Sequence, residues 1–185
     1  MDWYVKILST IESFCKGESP VHADPRGELL EEARKWLGIH EDKGTKSAAV
    51  DVFRRATNGV AEGESWCAAF VQYCCTAVSL RMKVDISIPP SELCSAIWSQ
   101  TADKYKQDSP EPGLLMVWNY PGTIFGHIGI VEEIGEKGRL IWTIEGNTRP
   151  PKGEASTTGT GVYRKMRTRA GSPDMALLGY IKPFR

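Results

Sequence analysis

The chain has 185 residues and balances 23 Lys and Arg against 23 Asp and Glu, so its formal charge is zero and it lacks the basic excess with which general nucleic-acid binders hold phosphate. With 41% apolar and 25% charged residues it has too many core formers for a disordered chain, and no apolar run reaches the ~18 residues of a membrane-spanning helix. The length suits a single domain, 1–185, able to bury roughly 70% of its unfolded surface without a metal or disulfide staple.

The N-terminus does not read as a Sec signal, because Asp2 and Glu12 are acidic and Lys6, Ser9 and Thr10 break the apolar stretch. Trp3, Tyr4, Ile7, Leu8, Ile11 and Phe14 recur at helical spacing, which predicts an amphipathic helix over 2–16 packed on the domain. Gly17, Pro20, Pro25 and Gly27 then punctuate a connector. Leu29, Leu30, Ala33, Trp36 and Leu37 predict a second helix ended by Gly38, and Ala49, Val50, Phe53 and Ala56 a third over 47–57. The stretch Gly63-Glu64-Ser65-Trp66-Cys67-Ala68-Ala69-Phe70-Val71 passes from turn residues into a long apolar helix. Ser65 is its expected N-cap, Cys67 falls in its first turn, and it should run to about Leu80. A further helix is expected over 91–101, carrying Cys94, Ile97 and Trp98.

After Pro112-Gly113 the pattern turns to strands: 114–118, 127–134, 140–144, 161–166 and 177–182. Ile128, Ile130 and Ile134 should share one face of the second of these. Helices first and about five strands second predict an α+β domain with a mainly antiparallel sheet. Residues 146–160, rich in Gly, Pro, Thr and Ser, read as a long surface loop.

Five cysteines, Cys15, Cys67, Cys74, Cys75 and Cys94, leave at least one thiol unpaired, and no C-x-x-C pair offers zinc spacing. Most should be buried thiols. Cys67 differs, because a helix N-terminus lowers a thiol's pKa and supplies free backbone donors for an oxyanion. Cys74 and Cys75, two turns further along, are expected to pack. A thiolate nucleophile needs a base, and of His22, His40 and His127 only His127 opens a rigid element, with small Gly126 and Gly129 beside it. A polar group must then orient the imidazole. If strands 127–134 and 140–144 pair through a tight turn, Glu145 and Asn147 fall near His127. Either can accept its N–H, although Glu-Gly-Asn is equally good turn chemistry.

Ser65-Trp66-Cys67-Ala68-Ala69-Phe70-Val71, Gly126-His127-Ile128-Gly129-Ile130-Val131 and Glu145-Gly146-Asn147 stand in the order and spacing of the CHAP family, which this chain resembles over roughly 29–183. These are cysteine, histidine-dependent amidohydrolases/peptidases, a papain-like, NlpC-related group. The Pro112-Gly113 turn is similar too, although Leu114 stands where the family commonly has Asp. The resemblance implies a cysteine hydrolase cutting amide bonds in peptidoglycan, with Cys67 as nucleophile, His127 as base and Glu145, Asn147 or both orienting it. No metal or organic cofactor is implied. Trp66, next to the nucleophile, and Tyr120, in the loop shortly before His127, are the expected substrate-binding aromatics, whereas Trp98, Trp118 and Trp142 are expected in the core.

The expected ligand is the stem peptide or the glycan–peptide junction, cut as an N-acetylmuramoyl-L-alanine amidase or a cross-link endopeptidase. Without a Sec signal, an antibacterial effector would reach the wall by a secretion machine, with an immunity protein as partner in the producer, and a phage endolysin by a membrane pore. The chain is expected to be a monomer with no nucleic-acid partner and no stable membrane insertion. The competing readings are an intracellular amidase on a small peptide or polyamine conjugate and a non-catalytic wall-binding module.

Overall fold

Helical structure begins where Asp24 precedes Pro25. The Asp24 carboxylate accepts the Arg26 N–H at 3.0 Å, and proline at the first helical position gives up an amide that would have had no partner. The computed structural model describes residues 24–41, 47–57, 60–61, 63–150, 160–172 and 174–185. The predicted helix 2–16, Cys15, His22 and most of the predicted loop 146–160 lie outside them.

Four α-helices are described: α1 (Pro25–Arg34), α2 (Ala48–Arg54), α3 (Cys67–Met82) and α4 (Cys94–Gln100). The strands are β1 (His40–Glu41), β2 (Lys106–Gln107), β3 (Leu115–Asn119), β4 (Gly126–Gly135), β5 (Leu140–Thr148), β6 (Thr160–Thr168) and β7 (Ala176–Ile181). They form one sheet in the order β1-β6-β5-β4-β3-β7-β2, with every described pairing antiparallel. The α+β architecture is therefore the expected one, with seven strands rather than about five. The two unexpected strands are two residues each, at the sheet edges, too short to show any alternation. The first also gives His40 a strand position, but its ring is exposed and its Nδ1 bonds the Gly38 carbonyl at 3.1 Å.

Helices and sheet enclose the larger of two apolar clusters. Phe53, Trp66, Phe70 and Tyr73 interlock there, with ring centroids 5.2–5.8 Å apart. Each such ring pair contributes about 0.5–1.5 kcal/mol beyond the area it buries. Leu115 and Val117 of β3 face this core, while Leu114, Met116 and Trp118 form the second cluster with Val131, Ile141 and Tyr180. The alternation places that cluster on the opposite sheet face. Ile128 and Ile130 join the larger cluster, but Ile134 packs on the smaller one. The pairing of β4 with β5 shifts between Val131 and Glu133, and one extra residue turns every later side chain over.

The close joining of β4 to β5 determines the geometry that matters for function. A 3-10 turn at Glu136–Gly138, with Lys137 at φ 54° and Gly138 at φ 79°, reverses the chain directly. The end of β5 is thereby returned to the beginning of β4. α3 packs against β4 and β5, so its first turn meets the same corner.

Candidate active site

Cys67 is the first residue of α3. Its N-cap is Trp66 rather than Ser65, with φ −116° and ψ 18° and no side-chain capping bond. An uncapped start leaves the first-turn amides without an intrahelical acceptor, which is the arrangement an oxyanion needs.

The thiol is 3% exposed, and its Sγ lies 3.7 Å from the Sγ of Cys94, at the start of α4. The Cys94 hydrogen bond is the strongest influence on Cys67. Together with the charge and hydrogen bond of His127 and the amide of Ile128, it outweighs burial and holds the thiol well below its ordinary range. Cys94 moves the opposite way, well up, because it shares that bond and is itself buried.

His127 stands opposite Trp118 in the β3–β4 register, and the rings stack with centroids 5.8 Å apart and planes at 29°. Its Nε2 donates to Glu145 Oε2 at 2.8 Å, leaving Nδ1 as the nitrogen for the thiol. Burial disfavours the imidazolium, but the charges of Cys67 and Glu145 prevail and lift the group to about 10.

Glu145 is fully buried, yet each of its oxygens is matched twice. Oε1 accepts Thr143 Oγ1 at 2.6 Å and Arg167 Nε at 2.7 Å; Oε2 accepts His127 Nε2 and Arg167 Nη2. Burial alone would raise this carboxyl, but the Arg167 bonds and the His127 charge bring it down to about 2. The shifts along the line all favour the charged forms: thiolate, imidazolium, carboxylate and guanidinium. The remaining described cysteines lack such partners. Burial pushes Cys75 up to about 12 and, with the nearby Cys75, Cys74 well above the ordinary thiol.

Beside Cys67 opens a cleft of about 600 Å³, lined by Val60, Glu64, Cys94, Tyr120 and Phe125 among others. Tyr120, 37% exposed, is thus placed with the thiol as expected. Trp66 is not: it is completely buried, stacked on Phe53 at 5.8 Å, and has no surface to offer a substrate. Adjacency to Cys67 in the chain misled here, because the helix start turns consecutive side chains in different directions.

Asn147 is also displaced from its expected place. It adopts φ 54° where the β5–β6 register shifts between Glu145 and Thr148, and among the described residues it is no hydrogen-bond partner of His127. The open choice between Glu145 and Asn147 thus falls to Glu145, two residues from Thr143 and on its face of β5.

Three neighbours escaped the sequence reading. Thr143 was within reach of it, since alternation puts it beside Glu145. Cys94 had only a helix position to recommend it. Arg167 sits on β6, 22 residues beyond Glu145, and one residue past the predicted strand 161–166.

Residues 59–147 match the family model of the CHAP domain, a stretch that contains Cys67, His127 and Glu145. No curated protein matches the chain. Among solved structures, the one titled "The crystal structure of Ly7917" is similar at 15% identity and a TM-score of 0.49, over 85% of this chain and 62% of that one. The chain thus spans less than two thirds of that protein's length.

Proposed function

With residues 59–147 this chain belongs to the CHAP family of cysteine, histidine-dependent amidohydrolases/peptidases, and on that premise we propose that it hydrolyses an amide bond of peptidoglycan. The observation that carries the reading is the line of Cys67, His127 and Glu145, with the buried His127–Glu145 hydrogen bond in it and the charge of the imidazole holding the thiol low, set at the edge of an open cleft. Such a line makes a nucleophile and an acid from one pair of side chains.

The Cys67 thiolate attacks the carbonyl carbon, forming a C–S bond and an oxyanion, which takes its hydrogen bonds from the first-turn amides of α3. The oxyanion collapses and the C–N bond breaks. The departing nitrogen receives the proton of His127 and leaves as an amine. A water molecule then gives a proton to His127 and attacks the thioester. The C–S bond breaks, a carboxylic acid product leaves, and the thiolate–imidazolium pair is restored. Glu145 keeps Nε2 as the donor throughout and does not take the proton itself.

Tyr120 and Phe125 give the cleft the amphipathic walls that a short peptide requires. The bond cut is the N-acetylmuramoyl-L-alanine amide or a cross-link peptide bond, in the setting of an antibacterial effector or a phage endolysin.

Purified sacculi incubated with the protein test this directly. The expected result is soluble fragments with new amino termini in mass spectra, at L-Ala for the amidase and at a cross-link residue for the endopeptidase, with none from Cys67→Ala. No release by the wild-type protein, or equal release by Cys67→Ala, overturns it. Toxicity only when a periplasmic leader is fused to the chain separates a wall substrate from a cytosolic one.

A further inference from the structure

Arg167 lies outside the matched stretch 59–147, yet it makes two of the four hydrogen bonds on the buried Glu145 carboxylate. Its Nε bonds Oε1 and its Nη2 bonds Oε2, the bidentate fork that fixes a carboxylate in both position and plane. The same guanidinium lies 5.4 Å from the centre of the Trp118 ring, and Trp118 stacks on His127. Arg167 thus bears on the imidazole from two sides, through its carboxylate partner and through the ring that backs it.

We propose that Arg167 is a positioning residue for hydrolysis, fixing Glu145 in the one orientation that holds His127 Nε2 as donor and leaves Nδ1 for Cys67. The proposal rests on the reading of Cys67 and His127 as nucleophile and acid–base. Without Arg167, a fully buried carboxylate keeps only Thr143 and His127 as partners and takes up a proton more readily. A neutral carboxyl turns one oxygen into an O–H donor and gives the imidazolium little support, so the counter-charge of the thiolate is weakened. Lysine cannot replace the fork, because one ammonium cannot span both oxygens in plane.

The charged and titratable groups facing the pair are Glu145 from β5, Arg167 from β6, Cys94 from α4 and Tyr120 from the β3–β4 hairpin. Of these, only Glu145 changes charge when Arg167 is removed and the pH is low.

The test compares wild type, Arg167→Ala and Arg167→Lys in two assays. One is the pH profile of Cys67 alkylation by iodoacetamide, mapped by peptide mass spectrometry, which reads thiolate without needing a substrate. The other is hydrolysis of muropeptides. In Arg167→Ala the acid limb of alkylation is expected about one pH unit higher, with kcat down about 10–100-fold, the usual cost of losing an outer partner, and KM little changed. Arg167→Lys should recover part of the loss, and added methylguanidinium should restore Arg167→Ala. A folded Arg167→Ala with the wild-type alkylation profile overturns the proposal. So does unfolding of both variants, which makes Arg167 a stability residue. If the wild-type protein cleaves no muropeptide, the substrate reading fails, and the alkylation profiles still decide for or against Arg167.

Discussion

The Sγ atoms of Cys67 and Cys94 approach to 3.7 Å, across 27 residues of sequence, with both side chains almost fully buried. The shared hydrogen bond, with burial, holds Cys94 well up, and the same bond draws Cys67 well down, which favours the proton on Cys94 and the charge on Cys67. A second cysteine therefore helps to make the first a thiolate. Replacing it by Cys94→Ala removes the strongest influence on Cys67, so the midpoint of Cys67 alkylation should move to higher pH. Iodoacetamide labelling at graded pH, mapped to the Cys67 peptide, measures the shift. An unchanged midpoint means His127 alone sets the thiolate.

Cys67→Ala and His127→Ala each remove an indispensable partner of one relay. Turnover of sacculi should fall on the order of 10⁴-fold or more in either variant. The folded state should survive, since the alanine at either place leaves the Phe53–Trp66–Phe70 packing intact. Far-UV circular dichroism with a thermal melt, run beside the hydrolysis assay, separates loss of chemistry from loss of fold.

Two glycines on adjoining strands should respond in opposite ways. A Cβ at Gly129 would stand 2.6 Å from Glu145 Cγ, and one at Gly146 2.6 Å from Phe70 Cβ and 2.9 Å from Trp66. Gly129→Ala pushes on the carboxylate that holds His127, so kcat should drop with a modest loss of stability. Gly146→Ala pushes on the aromatic core and should cost about 1–3 kcal/mol, as overpacking does. Urea unfolding and kcat measured on both variants give the comparison; equal losses of kcat at equal stability would contradict it.

Stability should also depend on acid through Glu145. Its folded value, about 2, lies below the ordinary 4.5. A depressed carboxyl contributes stability that is complete above the unfolded value and disappears as pH falls from about 4.5 towards 2. The size is about 3 kcal/mol by linkage. Glu145→Gln should therefore be less stable than wild type at pH 6, with the gap narrowing by pH 3. Glu32 and Glu132 are held low as well, so the difference between the two proteins, not either curve alone, is the measurement. A gap that stays constant from pH 6 to pH 3 excludes the linkage.

Tyr120 lines the cleft with 37% of its surface open, which makes it a candidate for substrate contact. Tyr120→Ala should raise KM several-fold with a smaller change in kcat. Steady-state kinetics on a soluble muropeptide reads the split.

Local patterning along the chain located the longer elements and the Cys67, His127 and Glu145 positions. Helical spacing located α3, turn residues placed Cys67 at its start, and alternation with Gly on both sides singled out His127, because these signals act over a few neighbouring residues. A short turn between two strands also predicted that, if β4 and β5 paired antiparallel, Glu145 would fall close to His127. The remaining features come from packing between elements far apart in the chain. The choice of Glu145 over Asn147 depends on a register shift after Glu145 and a left-handed φ at Asn147. The burial of Trp66 depends on where Phe53 arrives from α2. Cys94 and Arg167 reach the site from elements whose own sequences show an ordinary short helix and an ordinary charged strand. Sequence periodicity reports which face of an element is apolar. It does not report which distant side chain will complete a buried carboxylate's hydrogen bonds, because that is settled by the packing of strands far apart in the chain.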